Sequence, residues 1–228
     1  MNDTKSAKPN SEPVALFDLD GTLADFDKQM SSVMSSLASS EEEPWEADRY
    51  GEGEEPPYLE ARRRLIKKLD GFWANLPTMR DGFEVMRIAM SLGYKIMVCS
   101  RGPRNNPMAW GEKLEWCRRN LPETVQVTLT EDKGLVYGKV LVDDWPPYIE
   151  RWLTWRPRGL VIMPARRWNA TFTHPQVLRY EFGRNDGIIY LMLSERLRSK
   201  VSLPQQESSK KSDGESDPDE GDGSEGDE

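Results

Sequence analysis

Asp18 and Asp20 stand one residue apart at the end of a short apolar run, Val14-Ala15-Leu16-Phe17, and Gly21-Thr22-Leu23 follows them. Side chains alternate along a strand, so both carboxylates leave on one side while Leu19 leaves on the other. Two carboxylates at the carboxyl end of a buried strand repel each other and are costly to desolvate. The pair therefore calls for a bound cation or for a proton held between the two groups. An Asx turn opening the next helix is the plainer alternative. The apolar strand before the pair and Gly-Thr-Leu after it favour the charged site.

The elements that must position this pair are legible from hydrophobic spacing. Val14 to Phe17 is too short for a helix and reads as a buried strand ended at Gly21. Phe26 to Leu37 carries Met30, Val33, Met34 and Leu37 at helical spacing, and Tyr58 to Trp73 resumes it through Leu59, Leu65, Ile66, Leu69 and Phe72. Between them, Ser39 to Pro57 is dense in Glu, Gly and Pro and reads as an exposed, acidic loop. Further helices are predicted over 81–92, 108–121 and 186–197, the second with Trp110, Leu114, Cys117 and Leu121 on its apolar face. Strands are predicted over 94–99, 125–129, 140–142 and 159–163. Strands alternating with helices argue for a parallel sheet covered on both faces, which binds ligands beyond its carboxyl ends.

Other chemistry-bearing residues fall just beyond those strands. Ser100 follows Ile96-Met97-Val98-Cys99, with Gly102 close behind, and its hydroxyl and the local amides suit phosphoryl oxygens. Arg101 and Arg104 follow the same strand. Asp143-Asp144 follows Val140-Leu141-Val142. Two lysines compete to meet a phosphoryl group. Lys139 immediately precedes a strand, and at roughly 3.3 Å per residue it falls on the far edge of the sheet. Lys133 follows a strand and falls on the near edge, so Lys133 is preferred.

The Val14–Leu23 segment strongly resembles the first motif of the haloacid dehalogenase superfamily of phosphotransferases. The resemblance implies a three-layer, Rossmann-like α/β core at 13–26 and 78–203, with a small helical cap at 27–77 inserted after the first strand. It implies that Asp18 is a nucleophile and Asp20 a general acid/base, with Mg²⁺ held by the Asp18 carboxylate and the Asp20 main-chain carbonyl. Ser100 corresponds to the second motif. Asp143-Asp144 resembles the acidic fourth motif, with Asp144 favoured as the direct metal ligand and Asp143 left open. Asp-Gly-Thr-Leu-Ala-Asp-Phe at 20–26, Leu-Pro at 76–77, Leu-Thr-Glu-Asp-Lys at 129–133 and Val-Leu-Val-Asp-Asp-Trp-Pro at 140–146 resemble the 5′(3′)-deoxyribonucleotidase family more closely. That likeness implies removal of phosphate from nucleoside monophosphates, or from another small phosphomonoester. A nucleic-acid end, as in 3′-phosphatases that share the strand-end motifs, is the alternative substrate.

Within the expected cap, Trp45, Tyr50, Tyr58, Phe72 and Trp73 are read as packing residues rather than base contacts. Arg62-Arg63-Arg64 and Lys67-Lys68 are read as a solvated face. The only histidine, His174, has no nucleophile beside it and receives no catalytic role.

Bulk properties narrow the partners. The chain has 228 residues and a formal net charge of −8. Residues 205–228 hold ten acidic side chains and two lysines, so residues 1–204 are neutral, with 29 charges of each sign. A generally basic nucleic-acid-binding surface is thereby excluded. The segment 204–228 is expected to be disordered, with an acidic run that suits a basic partner. Two cysteines, Cys99 and Cys117, exclude a disulfide framework and read as small core residues. No apolar run approaches about 18 residues and no cleavable signal is visible, so a cytoplasmic protein without membrane partners is expected.

Overall fold

The computed structural model describes residues 12–46 and 55–198. Tyr50 and the expected disordered tail at 204–228 lie outside the described residues. Six strands, β1 (Val14–Phe17), β2 (Lys95–Arg101), β3 (Gln126–Thr130), β4 (Val140–Val142), β5 (Leu160–Pro164) and β6 (Val177–Tyr180), form one sheet. All pairings are parallel, in the order β3-β2-β1-β4-β5-β6. Chain order runs outward in both directions from β1 and β4, so the crevice between them is the switch point where open α/β sheets bind ligands.

Alternation along the strands builds two apolar layers. Ala15, Phe17, Val98, Val140, Val142 and Ile162 join one cluster, whereas Leu16, Cys99, Leu141, Val161 and Met163 join the other. The first layer is covered by α3 (Arg80–Ser91), α4 (Pro107–Asn120) and α6 (Asp186–Arg198), through Val85, Ala89, Trp116, Ile189 and Leu193. The second is covered by α5 (Pro146–Trp155), through Ile149, Trp152 and Leu153. Each Val, Leu or Ile among these, fully buried, contributes roughly 1.5–3 kcal/mol. The result is the three-layer parallel α/β fold expected from the sequence. Cys99 and Cys117 are both buried and unpaired.

The segment between β1 and α3 carries α1 (Phe26–Ser36) and α2 (Pro57–Ile66), which pack on each other. Its Met30, Met34, Leu59, Ile66, Phe72 and Trp73 belong to the same apolar cluster as the first layer of the sheet. Phe26, Phe72 and Trp73 meet ring to ring at centroid distances of 5.3–5.7 Å. Trp45 is buried in the apolar cluster, as a packing residue would be, and its indole donates to Glu55 at 3.2 Å.

Several elements differ from the sequence reading. The second helix stops at Ile66 instead of reaching Trp73, because the chain turns through Gly71 at φ +77° to bring Phe72 and Trp73 inward. Leu65 and Leu69, read as its apolar side, are exposed. Helix α5, which was not predicted, opens at Pro146-Pro147; proline is well suited to the first helical turn, whose N–H groups lack helical partners anyway. Strand β6 adds a sixth parallel strand where none was predicted. The buried face of α4 is Ala109, Glu112, Lys113, Trp116 and Cys117, with Trp110 and Leu114 turned partly outward. No helix among the described residues is long and apolar enough to cross a membrane.

Candidate active site

Register brings the charged residues together. Phe17 pairs with Val142 on one side and Val98 on the other, so Asp18 leaves the sheet level with Asp143 and one residue short of Ser100. The Asp18 amide continues the ladder by donating to Val142 O at 2.8 Å. Beyond this edge opens a pocket of about 910 Å³, lined among others by Asp18, Asp20, Phe26, Lys67, Trp73, Arg101, Lys113, Asp144, Tyr148 and Trp168.

Asp18 is 5% exposed, and both donors that reach it go to Oδ1: Lys133 Nζ at 2.6 Å and the Leu19 amide at 2.7 Å. Lys133 opens the short 3-10 turn Lys133–Leu135, whose start is capped by Asp132 accepting from the Gly134 amide at 2.9 Å. The same ammonium lies 2.8 Å from Asp143 Oδ2. Burial works against a charged Lys133, but Asp143 and Asp18 outweigh it and hold the ammonium protonated. Lys139 sits at the opposite edge, as its place before β4 requires, with Nζ on Leu197 O at 3.3 Å.

Asp143 and Asp144 follow β4, and the turn brings both toward Asp18 despite the alternation of neighbouring residues. One carboxylate oxygen from each of Asp18, Asp143 and Asp144 lies within 4.8 Å of the others. Asp143 has both oxygens engaged, by Lys133 and by the Trp145 amide at 2.9 Å. Asp144 accepts from Thr22 Oγ1 at 3.0 Å and Trp168 Nε1 at 3.1 Å, both neutral donors. Burial, then repulsion from Asp143 and Asp18, pushes the Asp144 carboxyl well above the usual carboxylate range. A Cβ on Gly21, which has φ +77°, would lie 2.5 Å from Asp144 Oδ2, so only glycine lets the loop pass this close.

Asp20 does not join the three-carboxylate group. Its Oδ2 pairs with Lys113, while its Oδ1 is buried without a hydrogen-bond partner. Burial raises the Asp20 carboxyl; Lys113 opposes that shift and Asp18 adds to it. Lys113 also donates to Arg101 O at 2.8 Å and Ser100 Oγ at 3.3 Å, and it stands 4.7 Å from the Trp73 ring centroid. Ser100 is fully buried at the end of β2, and Arg101 reaches Tyr148 Oη at 3.0 Å across the pocket. Arg104 pairs with Glu131 at 2.7 Å. His174 lies outside the pocket lining, its Nδ1 accepting from the Gln176 amide.

Four neighbours of the site escaped the sequence reading: Lys113, Tyr148, Trp168 and Asn169. Asn169, fully buried, donates to Asp144 O at 2.8 Å and Pro164 O at 3.0 Å, which fixes the backbone beneath the carboxylate. Only Lys113 left a signal. Glu112-Lys113 interrupts the apolar face of α4 between Ala109 and Trp116, and charges there need buried partners. Glu112 finds its own in the amides of Gly71 and Trp73, at 2.9 and 2.8 Å.

Comparison with known proteins agrees with this geometry. A family model described as 5′ nucleotidase, deoxy (pyrimidine), cytosolic type C protein matches residues 12–175. A protein of Bordetella bronchiseptica assigned as a 5′(3′)-deoxyribonucleotidase is 30% identical over 136 residues, covering 58% of this chain and 73% of the relative. One assigned likewise in Vibrio phage KVP40 is 24% identical over 141 residues, covering 60% and 69%. A solved haloacid dehalogenase-like hydrolase from Burkholderia xenovorans LB400 shares the fold with a TM-score of 0.50 at 16% identity, over 82% of this chain and 98% of that one. The family match runs from β1 past β5 and takes in every strand-end residue described above. The chain therefore belongs to the 5′ nucleotidase, deoxy (pyrimidine), cytosolic type C family, and is a nucleotidase-type phosphatase on a haloacid dehalogenase-like fold.

Proposed function

We propose that this enzyme is a Mg²⁺-dependent phosphomonoesterase that hydrolyses nucleoside monophosphates through a phosphorylated Asp18. The observation that carries the reading is the division of labour between the two aspartates. Asp18 is held by a protonated lysine through one oxygen, while Asp20, two residues on, is biased by burial toward its protonated form. The first is placed to attack phosphorus and the second to carry a proton.

The donor set fits a divalent cation. Asp18, Asp143 and Asp144 bring three carboxyl groups against the single ammonium of Lys133, all in a buried cluster of oxygen donors. Asp18 and Asp144 would hold the ion, together with the Asp20 main-chain carbonyl, because Asp143 is committed to Lys133 and the Trp145 amide. When bound, the ion cancels the repulsion between phosphate and carboxylate and withdraws charge from the phosphoryl oxygens.

Asp18 Oδ2 attacks phosphorus while the ester oxygen departs on the opposite side. Asp20 gives its proton to that oxygen, so the nucleoside leaves as a neutral alcohol. Asp20 then takes a proton from water, which attacks the aspartyl phosphate and returns free Asp18 and inorganic phosphate. Lys133, Ser100 and Arg101 bind the phosphoryl oxygens. Phe26 and Trp73 form the aromatic wall against which a nucleoside lies, making the 27–77 segment a cap over the strand ends.

Phosphate release from a panel of nucleoside monophosphates, sugar phosphates and phosphorylated oligonucleotides with Mg²⁺ tests the reading. Turnover is expected to be greatest for a nucleoside monophosphate and to vanish on chelation. Asp18→Asn should lower it about a thousandfold or more with unchanged circular dichroism. Metal-dependent turnover surviving in that variant would refute the mechanism.

A further inference from the structure

A second cavity of about 530 Å³ adjoins the main pocket, sharing Lys67, Trp73 and Pro103 with it. Its remaining lining is Arg64, Lys68, Asn105 and Asn106. Three cations and two carboxamides therefore line it, with no carboxylate. Glu55 and Glu60 act electrostatically on Lys67, and both already carry an arginine: Arg63 at 2.6 Å from Glu55, and Arg64 on Glu60. Among the described residues no carboxylate forms an ion pair with Lys67 or Lys68.

The annex is anchored to the core rather than loosely hung on the surface. Asn106 caps α4 by accepting from the Ala109 amide, and its Nδ2 donates to Lys67 O at 2.7 Å. Trp73 Nε1 reaches the same carbonyl at 3.0 Å. These bonds fix the Lys67 backbone beside the amino end of a 14-residue helix, whose dipole adds to the positive potential of the annex. Burial and the neighbouring Arg63 and Arg64 weigh against the charge on Lys67. Arg64 already pairs with Glu60, so the charge that an anion in the annex would offset is chiefly that of Lys67 and Lys68.

We propose that this annex binds a second phosphate carried by the leaving group, so that preferred substrates bear one phosphate at Asp18 and another at Arg64, Lys67 and Lys68. The inference rests on the phosphatase reading above and names the substrate class of the same site. A nucleoside 3′,5′-bisphosphate and a 5′-phosphorylated dinucleotide both offer this chemistry. In each case Asp18 takes only the phosphoryl group that it faces, the leaving oxygen departs with the proton of Asp20, and water then frees that group as inorganic phosphate while the second phosphoester stays intact.

The test compares kcat/KM for a nucleoside 5′-monophosphate, its 3′,5′-bisphosphate and a 5′-phosphorylated dinucleotide, in the wild type and in an Arg64→Gln/Lys68→Gln double variant. Both substituted residues line only the annex. The wild type should favour at least one doubly anionic substrate about tenfold, and which one it favours identifies the source of the second phosphate. The variant should lose that preference while its monophosphate kcat/KM stays within about twofold. Equal values for all three substrates in the wild type would overturn the annex and leave the phosphatase reading standing. If no substrate is hydrolysed, the phosphatase reading fails, and equilibrium binding of the same three ligands decides the annex alone. In that arm, a bisphosphate or dinucleotide affinity unaffected by the double substitution overturns it. Thermal unfolding of the variant, expected within about 2 °C of the wild type, guards against a folding defect.

Discussion

Asp20 is where residue chemistry is most exposed to test. Its carboxyl is raised chiefly by burial, with Asp18 adding to the shift and Lys113 restraining it. A group poised in this way is useful only when the departing oxygen needs a proton. Asp20→Asn should therefore slow hydrolysis of a nucleoside monophosphate by about a hundredfold to ten-thousandfold. An aryl phosphate such as p-nitrophenyl phosphate leaves as a stable anion and should lose far less in its phosphorylation step. Single-turnover burst rates for the two substrates make the comparison. Equal losses would remove Asp20 from the role of acid.

Among elements, the critical contact is between the start of α3 and the loop after β1. Gly82 packs against that loop so closely that a Cβ would lie 1.9 Å from Thr22 O and 3.2 Å from Leu23 Cδ2. Thr22 in turn donates to Asp144, and Arg166 clasps Gly21 O at 2.8 Å while pairing with Asp81 at 2.6 Å. Strand end, helix start and the segment after β5 thus meet on one stretch of backbone. Gly82→Ala should cost about 1–3 kcal/mol by overpacking. It should also lower kcat by displacing Thr22 from Asp144. Chemical denaturation and steady-state kinetics on the same sample check both; a variant with wild-type stability and kcat would show that the loop yields freely. Glycine spacing in the sequence carries no hint of this contact, because it joins residues 60 positions apart through the tertiary fold.

For the whole molecule, Cys99 and Cys117 report on the two apolar layers separately. Burial pushes each thiol up to about 12 from an ordinary value of 9.0. Folded pKa values above the unfolded ones mean that the stability linked to these protons is fully present below about pH 9. It is lost as pH rises from 9 toward 12, because the unfolded chain ionises first. Two outcomes follow. Neither thiol should alkylate at pH 8 until the chain unfolds, and a Cys99→Ala/Cys117→Ala variant should show a shallower fall in stability between pH 9 and 11 than the wild type. Mass spectrometry after iodoacetamide and denaturant titrations across that range measure them; rapid alkylation of the native protein would contradict the burial of both layers.

What the sequence determined by itself was local. A strand delivers its last residues to a known edge, so Asp18, Asp20, Asp143 and Asp144 could be placed beyond strand ends by alternation and length, and Ser100 near one, although β2 continues through it to Arg101. Lys133 could be separated from Lys139 by the same reasoning. Helices with plain apolar spacing were equally legible. Helix α5, entered through Pro146-Pro147 directly after the acidic pair, and strand β6, only partly buried over Val177 to Arg179, were not. Tertiary structure alone decided which distant groups meet. Lys113 reaches Asp20 across 93 positions and Thr22 reaches Asp144 across 122. It also decided that Asp143 spends both oxygens on Lys133 and a backbone amide, and that the exposed Lys68 and half-buried Lys67 flank a cavity. The reason is physical: periodicity records which side of an element is apolar, whereas the partner of a buried charge is chosen by the packing of elements that sequence distance does not reveal.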